Sequence, residues 1–213
     1  MLKSFIFLNK EMIIRYLGQT SYLPIYQAMQ HFTEERVSTT PDEIWVLEHF
    51  PVYTLGMAGK RTHLLNTGDV PVYHVDRGGQ VTYHGIGQLV VYTLLNLENY
   101  QWHIRDLVCL LEQAVIDYLA DHNLKGERRD KAPGVYVDGR KLAALGLRVR
   151  RGCTYHGLSL NVAMNLSPFA GINPCGYVGL KVTQLRDLGI TADFEQVVQQ
   201  FLPYLLKHCH QTD

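Results

Sequence analysis

Cys175 is the side chain in this sequence best placed to act as a nucleophile. It lies in INPCGYVGL, where Pro174 restrains the chain before the thiol and Gly176 leaves space behind it. Buried cysteines are commonly inert. A thiol inside an NPCG turn, however, is not packed on a periodic strand or helix face. The other cysteines have different surroundings: Cys109 falls beside the apolar stripe of a long helix and reads as core, Cys153 begins a strand, and Cys209 is in the tail. No CxxC pair is present, so the four cysteines give neither a disulfide framework nor structural-zinc spacing. The terminal His208-Cys209-His210 lacks the fixed geometry of a metal site.

A second chemical segment is RGGQVTYHGIGQ, residues 77–88, with four glycines, an arginine and a histidine. Glycines admit positive φ and close approach of a ligand to the main chain. The segment fits a binding loop lined by its amides and His84, and it equally fits a long bulged hairpin connection. No GK[ST] follows, so a phosphate-cradling loop is not supported. Lys141 begins the strand KLAALGLRV, and by position alone it reads as a solvated strand-edge lysine. His49, in LEHFPVYTLG, reads as structural. His156, in TYHGLSLNV, stays open between a structural and a functional role.

The elements that must position these residues follow from periodicity. Residues 12–17 predict a first strand, and Thr20 or Ser21 caps a helix through Tyr26, Met29 and Phe32. Residues 43–48 predict a strand with Trp45 and Leu47 on one face, which residues 52–55 could continue beyond Pro51. Residues 72–75 and 88–95 are further strands. Leu107, Leu110, Leu111, Ala114, Val115, Tyr118 and Leu119 recur at helical spacing over residues 106–122. Residues 134–137 and 141–149 are joined by Asp138-Gly139, which supplies the positive φ angles of a two-residue hairpin. An extended segment, residues 154–162, follows Arg151-Gly152. Residues 193–206 predict a last helix, with Pro203 near its end or kinking it. Helices and strands mix without regular alternation, which predicts an α+β fold with a mixed β-sheet and flanking helices.

With 213 residues and 46% hydrophobic composition, the chain can bury a core without disulfides or metal. No compositional break marks a linker, so residues 1–213 are expected to form one domain. The 20 basic and 20 acidic residues cancel, which argues against nucleic acid as partner. No apolar run approaches the ~20 residues of a membrane span. The N-terminal MLKSFIFLNKE has too short an apolar stretch for a signal peptide. The expected location is the cytoplasm.

Taken together, LEHFPVYTLG, RGGQVTYHGIGQLVVY, APGVYVDGRKLAALGLRVRRGCTYHGLSLNV and INPCGYVGL closely resemble the octanoyltransferases of lipoate biosynthesis, in that family's order and spacing. The resemblance spans most of the chain between residues 43 and 180. It implies a fold similar to the biotin and lipoate protein ligase catalytic domain, and a reaction that needs no metal or nucleotide cofactor. The implied donor is octanoyl-acyl carrier protein. The implied acceptors are lysines of lipoyl domains in 2-oxoacid dehydrogenase complexes and the glycine cleavage H protein. The family's acyl-thioester cysteine falls on Cys175, and the lysine that activates it falls on Lys141. Its acyl-binding loop falls on Arg77, Gly78, Gly79, Gln80, Val81, Thr82, Tyr83 and His84. Substrate-lining backbone falls on Ala144, Leu145 and Gly146, and on Gly157, Leu158 and Ser159. Ser159 stands where many members carry alanine. An acidic carrier is expected to meet basic residues such as Arg148, Arg150 and Arg151 near the pocket mouth. Two rival readings are an ATP-dependent ligase of the same fold and an inactive module that binds acylated domains.

Overall fold

The computed structural model describes residues 2–7 and 10–210. Its strands are β1 (Leu2–Phe7), β2 (Lys10–Thr20), β3 (Asp42–His49), β4 (Val52–Leu55), β5 (Val72–His74), β6 (Val81–His84), β7 (Gln88–Leu94), β8 (Gly134–Val137), β9 (Arg140–Arg150) and β10 (Cys153–Asn161). The helices are α1 (Tyr22–Glu34), α2 (Ile104–Ala120) and α3 (Phe194–His210). Seven strands form one sheet in the order β1-β2-β3-β7-β10-β9-β8. It is mixed: β2 and β3 run parallel, and the other neighbours are antiparallel. The α+β reading with a mixed sheet is borne out.

Alternation along β3 divides its side chains between two cores. Ile44 and Val46 join the larger core under α2 and α3, while Trp45 and Leu47 pack with Met29 of α1 on the opposite face. Every residue of the apolar stripe read on α2 is buried. At the start of that helix the His103 N–H donates to the Asp106 carboxylate at 2.7 Å. No helix among the described residues is long and apolar enough to cross a membrane.

Three expectations need correction. Residues 52–55 do not extend β3; β4 belongs to a second sheet, ordered β5-β4-β6, which packs its own cluster of Tyr53, Leu55, Val81, Tyr83 and Phe169. The glycine-rich segment is not loop throughout, because Val81–His84 pairs with β4. The extended segment expected after Arg151-Gly152 does form, as β10, and those two residues, at φ 50° and 75°, turn a tight hairpin like that of Asp138 and Gly139 at 48° and 75°. Finally, the cysteines exchange expected places: Cys109 is exposed, and Cys209 is buried in the main core. The cause is α3, which continues past Pro203 to His210 and lays its end against α2. His208 there bonds the Asp117 carboxylate of α2 at 2.7 Å.

Candidate active site

A cavity of about 370 Å³ lies between the large sheet and the small one. Its floor is formed by Val90, Tyr92, Ala144, Gly146, Gly157 and Ser159 from β7, β9 and β10, and its roof by residues 77–82 and His84. Small residues on the floor are a steric requirement. A Cβ on Gly157 would stand 2.1 Å from the Val91 carbonyl oxygen, and one on Gly146 would stand 2.9 Å from Cδ of Arg77. The roof is held down by Gly78 N–H donating to the Leu147 carbonyl at 2.9 Å.

Arg77 organises the roof from inside. Its guanidinium donates to the Thr54 carbonyl at 2.7 Å, to Thr54 Oγ1 at 2.8 Å, and to the carbonyls of Gly78 and Gln80, both at 2.9 Å. Burial lowers its affinity for the proton from the usual arginine value. Among the described residues no aspartate or glutamate lines the cavity, whereas Arg77, Lys131 and Lys141 do. The enclosed charge is therefore positive, suited to an anionic sulfur or oxygen.

Cys175 and Lys141 meet at one end of this cavity. Lys141 Nζ lies 2.9 Å from Cys175 Sγ and donates to the Pro133 carbonyl at 3.0 Å, with the Tyr136 ring centroid 5.3 Å away. The lysine is only 3% exposed, so it is not the solvated strand-edge residue that its position alone suggested. Its backbone is clamped as well: Lys141 N–H donates to the Lys181 carbonyl and Thr183 N–H to the Lys141 carbonyl, both at 2.9 Å. This ties β9 to the segment that follows the cysteine. Cys175 has φ 55° and ψ 17°, left-handed values costly for a residue with a Cβ. Pro174 before it, and Gly176 after it at φ 79°, make the turn possible.

Glu112 of α2 links helix to site. It accepts from Gly134 N–H at 2.8 Å and pairs with Arg128 at 3.0 Å. Gly134, at φ 142°, leaves room for the lysine: a Cβ there would stand 2.6 Å from Lys141 Cε and 2.5 Å from the Ala143 carbonyl oxygen. Gly134→Ala is thus expected to push the ammonium off the sulfur. Reactivity of the Cys175 thiol should fall at least about tenfold, with destabilisation of about 1–3 kcal/mol from overpacking. Alkylation kinetics and thermal melting read the two effects separately.

Except for Tyr83, every residue the resemblance assigned to the site lines the cavity: Arg77, Gly78, Gly79, Gln80, Val81, Thr82, His84, Ala144, Leu145, Gly146, Gly157, Leu158, Ser159, Lys141 and Cys175. Tyr83 packs with Tyr53 and Phe169 beneath the small sheet, as strand alternation after Thr82 requires. Tyr22, Tyr92 and His156 also line the cavity. Tyr22 lies outside the motif blocks, and Tyr92 closes the RGGQVTYHGIGQLVVY block without having been given a role. His156, left open above, had a signal in its neighbour Gly157. It adopts φ 61° and bonds the Asp76 carboxylate at 3.1 Å. Burial pushes Asp76 up, but hydrogen bonds from His156 and Tyr155 outweigh it and hold the carboxyl well below its usual range. Arg150 pairs with Glu34, and Arg151 donates to the Glu34 carbonyl at 2.6 Å, so both tie the β9–β10 turn to α1. Arg148 donates toward Met57 Sδ at 2.9 Å.

His49 and His84 are neutral structural rings. His49 bonds the Thr20 carbonyl at 3.2 Å and the Tyr92 hydroxyl at 2.7 Å. His84 bonds Gln88 Oε1 at 2.7 Å. Burial lowers their pKa values to about 4 and about 3 respectively. On acidification the unfolded chain therefore takes up protons first. Their contribution to stability is complete above about pH 6.5 and drains away as pH falls toward 4. For His49 alone the loss amounts to about 3 kcal/mol. Urea midpoints measured from pH 7.5 to 4 should fall across this window; a flat profile would contradict neutral burial of the rings.

This fold occurs in solved protein ligases. A bipartite lipoate protein ligase from Thermoplasma acidophilum superposes with a TM-score of 0.70 at 11% identity, covering 92% of this chain and 83% of that one. The biotin protein ligase from Aquifex aeolicus gives 0.54 at 14% identity, covering 92% and 68%. Likeness at such identities defines the fold class alone. In sequence, residues 23–206 match the lipoyl protein ligase A/B catalytic domain. Octanoyltransferases from Xanthomonas euvesicatoria and Dechloromonas aromatica are 58% and 54% identical, covering 91% and 94% of this chain and 84% and 98% of theirs. The chain belongs to the lipoyl protein ligase A/B family and, within it, to the octanoyltransferases, which are acyltransferases of lipoate biosynthesis.

Proposed function

We propose that this chain, acting as one catalytic domain in the cytoplasm, moves the octanoyl group from octanoyl-acyl carrier protein to a lysine of lipoyl domains through a thioester on Cys175. The acceptors are lipoyl domains of 2-oxoacid dehydrogenase complexes and the glycine cleavage H protein. The observation that carries this reading is the 2.9 Å contact between Lys141 Nζ and Cys175 Sγ at the end of the cavity.

An ammonium beside sulfur favours the thiolate, which is the nucleophilic form. The sulfur attacks the carrier thioester, a new C–S bond forms, the old one breaks, and the departing carrier thiolate takes a proton from Lys141. The neutral Lys141 amine then accepts a proton from the incoming lysine as its nitrogen attacks. A C–N bond forms and Cys175 leaves as thiolate. The energy of the donor thioester carries both steps, so no nucleotide is called for. Six buried methylenes of the acyl tail contribute about 5 kcal/mol to binding.

An ATP-dependent ligase of the same fold would activate a free acid instead. Glycine-rich GRGRxG loops are common in biotin ligases, whereas this chain has RGGQVTYHG and a cysteine–lysine pair that adenylation does not need. Mixing the protein with octanoyl-carrier protein and a lipoyl domain, without nucleotide, should add one octanoyl group to the domain by intact mass. Transfer that appears only with ATP and free octanoate would overturn the reading.

A further inference from the structure

The far end of the cavity is polar, which an alkyl chain does not need. Tyr22, Tyr92 and His156 line it and are 3%, 4% and 1% exposed. The Tyr22 hydroxyl has no hydrogen-bond partner. Its ring is held in place by stacking on Tyr26, Tyr73 and His84. An unpaired buried hydroxyl is uncommon in folded proteins and calls for a reason.

Hydrogen-bond accounting shows what is left over at this end. His49 Nδ1–H donates to the Thr20 carbonyl, so His49 Nε2 accepts from the Tyr92 hydroxyl, whose oxygen stays able to accept. His156 Nε2–H donates to the Asp76 carboxylate, which leaves Nδ1 as an acceptor. The end therefore offers a free donor on Tyr22 and acceptors on Tyr92 and His156. A hydroxyl group, donor and acceptor at once, matches this set. A methyl group satisfies none of it.

Position fits as well. Ser159, Ala144 and Thr82 share a small void with Cys175 and Lys141. On β10, His156 stands three residues from Ser159, roughly 10 Å at the rise of a strand. A seven-bond extended alkyl run reaches ~9 Å from its first carbon to its last. An eight-carbon chain held at Cys175 thus brings its last carbon to the level of His156 and Tyr92.

We propose that the buried end of the cavity is a hydrogen-bonding subsite for the terminus of the acyl chain, and that it admits medium-chain acyl groups bearing a terminal hydroxyl. The proposal rests on the acyl-pocket reading above and extends its substrate class. A purely apolar slot would reject a terminal hydroxyl by about a hundredfold. Here the hydroxyl accepts from Tyr22 and donates to Tyr92 or His156.

The test reads binding, not turnover. In a Cys175→Ala protein, which cannot consume a thioester, calorimetry compares nonanoyl and 8-hydroxyoctanoyl thioesters of N-acetylcysteamine, a methyl–hydroxyl pair of equal length. The hydroxyl chain is expected to bind at least a tenth as tightly as the nonanoyl chain. Adding Tyr22→Phe, which removes a hydroxyl that bonds nothing in the fold, should shift that ratio against the hydroxyl chain by threefold or more. Because the ratio is taken within each protein, a general loss of affinity cancels. A hydroxyl chain weaker than a tenth of nonanoyl, a ratio unmoved by Tyr22→Phe, or no binding of either chain overturns the proposal. Failure of the unaltered protein to gain octanoyl mass from an octanoyl thioester would instead remove the thioester mechanism and leave this comparison standing.

Discussion

Cys175→Ala should lower octanoyl transfer by on the order of 10⁴–10⁶, the usual cost of deleting a nucleophile, and should erase the acyl-enzyme mass. The fold gives no substitute sulfur. Cys109, Cys153 and Cys209 do not line the cavity. Burial pushes the Cys153 thiol up and that of Cys209 up to about 12, so both resist ionisation. Alanine at position 175 keeps a Cβ in the same left-handed turn, and the Asn173–Gly176 hydrogen bond at 2.9 Å uses backbone only. The variant should therefore melt near the parent temperature, which separates lost chemistry from lost structure. Intact-mass measurement after mixing with octanoyl-carrier protein decides the point. An adduct that persists in the alanine variant moves the chemistry off Cys175.

How much of this was legible in the sequence depended on whether the signal was local. The α2 stripe, the Asp138-Gly139 turn and the alternation of Trp45 and Leu47 each follow from backbone period or φ preference, and each appears as expected. Cys209 did not, because its burial depends on how far α3 runs beyond Pro203 and what it meets, a long-range contact with α2. The second sheet was hidden for a similar reason. Val52–Leu55 looks like any short strand after Pro51, and only its pairing with residues 81–84 takes it away from β3. At the site, motif resemblance found the residues of the glycine-rich segments, but a motif has no sense of facing. Tyr83 sits inside the motif and points to the other side of its sheet, while Tyr22, outside every motif, and Tyr92, at the end of its block and without an assigned role, both line the cavity. Lys141 was the largest misreading from position alone: a strand-edge lysine is buried when a glycine on the neighbouring strand, Gly134, makes room for its stem.

That burial makes Lys141 the position where a single charge should matter most after the nucleophile itself. Its ammonium has one carbonyl, one sulfur and one aromatic face around it, and no carboxylate among the residues lining the cavity. Two unit charges at this separation attract by at least ~4 kcal/mol at an effective dielectric near 20, before solvent in the open cavity screens the pair. Lys141→Met keeps most of the stem volume and removes the charge. Alkylation of Cys175 by iodoacetamide at pH 7 should slow by roughly 10–100-fold, in line with the one to two orders of magnitude left after screening. Octanoyl transfer should fall further, by on the order of 10³, since the amine also carries the proton between the two half-reactions and general acid–base roles are commonly worth 10²–10⁴. Equal alkylation rates in the parent and the methionine variant at pH 7 would show that the short Nζ–Sγ contact is a packing feature without influence on the sulfur.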